Sequence, residues 1–293
     1  MFKRLKKQYQ ESNKKVFIIY LLLRIYVITV MILQIFNKNW DSVFYCVLTL
    51  FLFTLPQFVS KSFKIALPGF LEIIIYLFIF AAEMLGELAN FYNNVSNWDT
   101  MLHTVNGFLC AAIGFALIDI LNKSNKVKTH MTPIFVTFVS FCFSMTVGAC
   151  WEIIEYSCDM ISKSDMQKDK LVTNISTVYL NPEGANKAVQ VNDIKYTIIW
   201  YDTDGDGVAD ESITINGGYL DIGIHDTMKD IIVNLIGAVV FSIFGFLYIK
   251  NREKYAFLEN LMPTLKDEKL VIESKNINNV ENEEKNIDSS NKM

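Results

Sequence analysis

Residues 132–156 read TPIFVTFVSFCFSMTVGACWEIIEY, a run with no charged side chain until Glu152 and Glu155 in its last turn. A helix crosses the hydrocarbon core of a bilayer with about 20 apolar residues, so this run is long enough to span. A soluble helix of that length would carry charge along one face. Working outward, five further stretches have the same character: Val16 to Phe36, Val43 to Val59, Ile65 to Leu88, Met101 to Leu121 and Thr227 to Ile249. The shortest is Val43 to Val59. The expected architecture is an all-α polytopic membrane protein with about six transmembrane helices.

Composition agrees. Of 293 residues, 52% are hydrophobic, 13% aromatic and 20% charged, with a mean hydropathy of +0.27. Soluble domains carry nearer a quarter charged residues. A net charge of −4 argues against a nucleic-acid partner, because a phosphate backbone selects basic surfaces. Cys46, Cys110, Cys142, Cys150 and Cys158 lie in or at the ends of apolar runs, where a thiol serves as a small packing group rather than a disulfide half. Lys3, Arg4, Lys6 and Lys7 precede the first run. With no small-residue cleavage pattern after it, that run reads as a retained anchor.

Lys and Arg accumulate in cytoplasmic loops. The basic N-terminus, Lys61 with Lys64, Lys123 with Lys126 and Lys128, and Lys250 with Arg252 all fall on one side; the opposite short loops carry only Lys38. This gives N-in/C-in topology in a multi-pass bacterial cell-membrane protein. Its parts are a cytoplasmic basic segment 1–15, spans one to five over 16–159, an extracytoplasmic insert 160–225, the sixth span 226–250 and a cytoplasmic tail 251–293, polar beyond Lys254 and read as disordered or a weak helix.

Charge at bilayer depth is costly and persists where it faces the bundle interior. Asp99, His103 and Asn106 follow helical spacing where the fourth span begins, and Glu152, Glu155 and Asp159 where the fifth ends. Asp226, Asp230 and Asn234 repeat the pattern at the sixth, and Glu83 with Glu87 close the third. All four sets fall at the extracytoplasmic end, which points to one polar pocket. Packed carboxylates repel unless they share protons or a cation. Asp99, His103, Asp226 and Asp230 are therefore candidate ligands of a divalent metal, with His225 a second nitrogen donor. An oxygen-rich set with one imidazole suits Mn, Fe, Zn or Mg. Glu152 and Glu155 are the candidate catalytic bases toward metal-activated water. Plainer readings stand beside these: Asp99 and Asp226 as helix N-caps, Glu87 and Asp159 as solvated interface acids, and His103, Glu152, Glu155 and Asp230 as a structural polar network. Deeper in the membrane, Arg24 reads as the partner of Glu72 or as a side chain snorkelling to the interface.

In the insert, the alternation of Ile194 to Tyr201 and Ser212 to Asn216 predicts a β-hairpin around an Asp-rich loop, making a small hairpin-rich subdomain. Asp202, Asp204, Asp206 and Asp210 stand at positions 1, 3, 5 and 9 of a calcium-type loop, Gly207 at position 6 and the Val208 carbonyl at position 7. Position 12 is Ile213, so the bidentate Glu of an EF-hand is missing, and Glu211 comes two residues early. The spacing predicts Ca²⁺ at weak, extracellular-type affinity, against a metal-free Asp/Gly turn.

Trp98-Asp99 with His103 and Gly107, Trp151-Glu152-Ile153-Ile154-Glu155, and Asp226-Thr227 with Asp230 and Gly237 resemble the YjdF-type inner-membrane proteins of bacteria. A more distant resemblance is to VanZ-like proteins, whose closing pattern Asp230 to Asn234 with Gly237 matches; those proteins carry Glu then Gln where this chain has Glu152 and Glu155. The Asp-rich loop departs from both. These resemblances imply the membrane class and the polar site, and no reaction. The function expected first is a metal-dependent hydrolase or transferase acting on a lipid or cell-envelope component. A cation- or proton-coupled transporter and a non-catalytic envelope protein are the alternatives.

Overall fold

The computed structural model describes residues 14–62, 64–123, 131–163 and 165–265. Expectations placed on 1–13, on Lys126 and Lys128, and on 266–293 lie outside the described residues. The chain resolves into two compact units, Met1–Gly148 with Val233–Met293, and Ala149–Ile232.

Helices α1 (Lys14–Phe36), α2 (Trp40–Leu52) and α3 (Leu55–Ser62) come first, followed by strand β1 (Ile65–Ala66). Helix α4 (Gly69–Phe80) continues as a π-helical stretch, Ala81–Leu88; α5 (Phe91–Asn94), α6 (Trp98–Lys123), α7 (Pro133–Ser162) and α8 (Ile224–Lys250) follow. Six helices are long and apolar enough to cross a bilayer: Lys14–Phe36, Trp40–Ser62, Gly69–Leu88, Trp98–Asp119, Pro133–Ile161 and Ile224–Lys250.

Two prolines explain where these spans differ from the hydropathy reading. The second span, expected to be continuous, breaks at Phe53–Thr54, where Phe53 donates to Thr49 and Thr54 to Phe51. Pro56 then sits in the first turn of α3, where its missing N–H costs nothing. The third span starts at Gly69 rather than Ile65, because Pro68 (φ −59°, ψ 143°) is extended and its ring disfavours helix at the residue before it.

The first unit has two apolar cores. Tyr20, Val27, Cys46, Phe53, Tyr76 and Met84 join spans one to three. Leu71, Phe115, Val136, Phe241, Leu258 and Met262 join spans three to six with the segment beyond the last span. That segment was expected to be part of a polar tail, disordered or a weak helix. Its described part instead forms a 3₁₀ turn (Ala256–Leu261) and a strand, Thr264–Leu265, which pairs antiparallel with β1 in the register Ile65↔Leu265 and Ala66↔Thr264. Leu258 and Met262 are 1% and 0% exposed. Apolar burial, which the local polarity of the tail concealed, holds the segment down.

The second unit contains the end of α7, the insert and the start of α8. Its strands are β2 (Leu171–Val172), β3 (Ile175–Thr177), β4 (Val189–Val191), β5 (Tyr196–Tyr201), β6 (Glu211–Asn216) and β7 (Tyr219–Leu220). They pair antiparallel as β2–β7, β3–β4 and β5–β6, and Thr264–Leu265 is β8. The β5–β6 ribbon is the expected hairpin, with Tyr196 opposite Asn216 and Tyr201 opposite Glu211. A bare two-stranded ribbon is marginal in water, and this one is tied at its base. Thr197 Oγ1 donates to the Gly218 carbonyl and Gly217 N–H to that of Lys195.

Candidate functional site

In the first unit, α6 and α8 touch backbone to backbone. A Cβ on Gly107 would lie 2.1 Å from the Asn234 carbonyl oxygen, and one on Gly237 would lie 2.0 Å from the Thr104 carbonyl oxygen. Any larger residue forces the helices apart; small residues at membrane helix crossings serve this purpose. Asn234, 1% exposed, fills the crossing. Its Oδ1 accepts from Asn106 Nδ2 at 3.3 Å, its Nδ2 lies 3.6 Å from Met145 Sδ, and a Cβ on Gly148 would meet that amide at 2.6 Å. Ser144 Oγ donates to the Gly107 carbonyl at 2.7 Å and Ser140 Oγ to that of Ala111. Three spans thus meet through glycines and short polar side chains. Asn106, Asn234, Gly107 and Gly237 were singled out in the sequence, whereas Gly148, Ser140 and Ser144 were missed because small residues carry no spacing signal among apolar ones.

One turn before Gly107, His103 Nε2 lies 3.3 Å from Asp99 Oδ1, and His103 is 7% exposed. Helix α6 begins at Trp98, so Asp99 is inside the first turn and does not act as the N-cap. Its carboxylate faces the His103 imidazole instead. Glu83 and Glu87 lie on the π-helical stretch, Glu83 half-buried and Glu87 exposed. Short π-helical insertions recur at functional positions in helices.

In the second unit, Glu152 is 5% exposed. Glu155, three residues on, accepts from the Trp151 indole N–H at 2.8 Å on a more open flank. Asp159 accepts the backbone N–H groups of Met166 (2.7 Å) and Gln167 (2.9 Å), so it anchors the chain leaving α7. Asp226 accepts Lys168 N–H at 3.1 Å and has Lys170 Nζ at 3.8 Å and Lys229 Nζ at 3.9 Å. Lys229 Nζ also lies 3.7 Å from Asp230, which is 2% exposed. Lysine counter-charge at these acids was absent from the sequence reading, which weighed cations only from outside the chain. His225 is exposed, and its charge acts on Asp221.

The residue that organises the start of α8 is Asp221, missed in the sequence. Its carboxylate accepts Lys170 N–H (2.7 Å), His225 N–H (2.9 Å) and Gly223 N–H (3.3 Å). Burial alone pushes its carboxyl up, but the three backbone donors outweigh that and hold it below the ordinary value of 3.8. The N-cap role expected of Asp226 belongs to Asp221.

At the tip of the β5–β6 ribbon, one oxygen each from Asp202, Asp204 and Asp210 lies within 4.8 Å of the others. Asp202 accepts from Gly207 N–H (2.7 Å), Gly205 N–H (2.7 Å) and Asp204 N–H (3.1 Å), and the first two hold its carboxyl below the usual range. Gly205 (φ 79°) and Gly207 (φ 84°) take the left-handed backbone that this winding needs. Asp206 accepts Val208 N–H at 2.7 Å, and Asp210 accepts from Thr203, which holds the Asp210 carboxyl down.

Residues 18–251, from the first span to just past the sixth, match the family model described as predicted membrane protein (DUF2238). The chain belongs to the DUF2238 family. This DUF2238 protein is also similar to an uncharacterized protein of Thermotoga maritima, 24% identical over 106 residues, which are 36% of this chain and 53% of that protein. The chain thus matches about half the length of that relative. No solved structure matches this DUF2238 protein.

Proposed function

We propose that this membrane protein holds a divalent cation at the bilayer face bearing the insert and uses it as a hydrolase or transferase on a lipid or other cell-envelope component. One observation carries the reading. His103, 7% exposed, has its Nε2 3.3 Å from Asp99 Oδ1 one turn before the Gly107 crossing, the carboxylate–imidazole pairing that orients a metal-binding histidine. The ligand roles fall to His103 and Asp230, with Asp99 orienting the imidazole and Asp226 behind Asp230. Glu152 is the general base ahead of Glu155, one oxygen of which is taken by Trp151. A cation there would supply Lewis acidity and a more acidic bound water. The distances from Lys229 to Asp226 and Asp230 favour a second reading, in which an internal ammonium balances the acids in a proton- or cation-coupled transporter or a purely structural network.

Elemental analysis of the full chain purified in detergent separates these. The first reading expects close to one Mn, Fe, Zn or Mg per chain, lost in His103→Ala. The second expects no metal and destabilisation by Lys229→Met. For the Asp-rich loop the proposed ligand is Ca²⁺. Millimolar Ca²⁺ should raise the unfolding temperature of the full chain by ordinary linkage, about 1 kcal/mol at a few times Kd. An equal response in an Asp204→Asn, Asp210→Asn variant would make the loop a turn alone.

A further inference from the structure

The β5–β6 ribbon of the second unit has an outer edge that carries no charge. Strand β5 reads YTIIWY, without a charged residue, proline or glycine, and among the described residues it pairs with β6 alone. Gly217 N–H donates to the Lys195 carbonyl and Asp210 N–H to that of Tyr201. Backbone groups alternate in direction along an antiparallel strand, so those of Lys195, Thr197, Ile199 and Tyr201 face β6. Those of Tyr196, Ile198 and Trp200 face outward, and all three side chains are exposed. Edge strands are usually blunted by a lysine, a proline or a covering element, and β5 has none of these among the described residues. The outward residues of β6 are instead Ser212, Thr214 and Asn216, a polar row. Charge also differs between the ends of the ribbon. Lys195 immediately precedes β5, whereas Asp202, Asp204, Asp206, Asp210 and Glu211 stand at the tip.

We propose that β5 is an interface between two copies of this chain, which pair edge to edge, antiparallel and centred on Ile198. A two-fold axis at that point sets every outward residue opposite another outward one, as a hydrogen-bonded ladder needs. Ile198 then faces Ile198 of the second copy, and Tyr196 faces Trp200 on both sides of the axis. Such aromatic and β-branched cross-strand pairs stabilise sheets. On the other face Lys195 lies opposite Tyr201 of the second copy. The Tyr201 hydroxyl donates to Glu211 Oε2 at 2.9 Å, so the basic end of each ribbon meets the acidic end of the other. That complementarity selects a second copy of β5 as the occupant. It also selects the antiparallel arrangement, because parallel pairing would set the acidic tips side by side, where like charges repel. Two ribbons, each marginal alone, become one larger sheet.

Single cysteines in a cysteine-free full chain, oxidised in detergent, read the register. Ile198→Cys should cross-link to a dimer, because facing residues of a hydrogen-bonded pair lie about 5.5 Å apart at Cα, within disulfide range. Thr214→Cys, on the outer edge of β6, should cross-link at least several-fold less. By light scattering in detergent the wild-type chain should have the mass of a dimer. Ile198→Pro, which removes an outward N–H and leaves the ladder to β6 intact, should have the mass of a monomer. Equal cross-linking of Ile198→Cys and Thr214→Cys would overturn the proposal. So would a dimer mass retained in Ile198→Pro, or a wild-type chain that is monomeric or carries a different protein on the ribbon. Should Ile198→Pro fail to fold, the contrast between the two cysteine variants decides.

Discussion

Two glycines and an asparagine set the distance between α6 and α8, so their substitution should cost more than their size suggests. A methyl at Gly107 or Gly237 meets a backbone carbonyl at about 2 Å, and backbone cannot swing aside as a side chain can. Gly107→Ala and Gly237→Ala should each lower stability by about 2 kcal/mol or more, read as loss of unfolding temperature in detergent. Asn234→Ala should cost about 1 kcal/mol, the net worth of one buried hydrogen bond. Asp221 makes a pH-dependent contribution with a definite sign. Its folded carboxyl is held below the unfolded value of 3.8, so its stabilisation is present above that value and fades as pH falls through the lower folded one. The acid limb of unfolding should flatten in Asp221→Asn, and an unchanged limb would remove Asp221 as its source. Asn234 was visible in the sequence because it stands at helical spacing from Asp226 and Asp230, and Gly107 and Gly237 through the family resemblance. Asp221 was not, because an acid before a helix looks the same whether or not backbone donors converge on it.

Among elements, the apolar spans were legible because bilayer length is a long, continuous signal. Their ends were less so. Pro56 and Pro68 reshape spans two and three within stretches that are apolar throughout, where hydropathy has no contrast to detect. The two-residue pairing of β1 with β8 joins residues 65–66 to 264–265 and has no local periodicity, so the segment after α8 read as tail. That segment now carries a prediction. A chain ending at Lys254 should be markedly less stable than one ending at Leu265. Leu258→Ala should cost about 2–3 kcal/mol, as for other fully buried leucines. Equal stability of the two truncations would mean that the strap only decorates the bundle. In the insert, the β5–β6 hairpin was legible from alternation, while β2–β7 and β3–β4 are too short to alternate.

For the whole molecule, the six-span DUF2238 architecture leaves two proposals: the orientation and the single cation site. Orientation rests on loop lysines and is tested by single cysteines in a cysteine-free background. Ser96→Cys and Ser176→Cys should label from outside intact cells and Ser124→Cys should not; labelling at Ser124→Cys would invert the topology. The shared site is tested most directly by a double-mutant cycle on bound metal and unfolding temperature, with His103→Ala, Asp230→Ala and the pair. Ligands of one ion fail together. Each single variant should therefore lose the metal, and the pair should be little worse than either alone, far from additive. Full metal content in both single variants, or strictly additive losses with no metal in wild type, would contradict a shared cation site and leave the acids as separate structural groups.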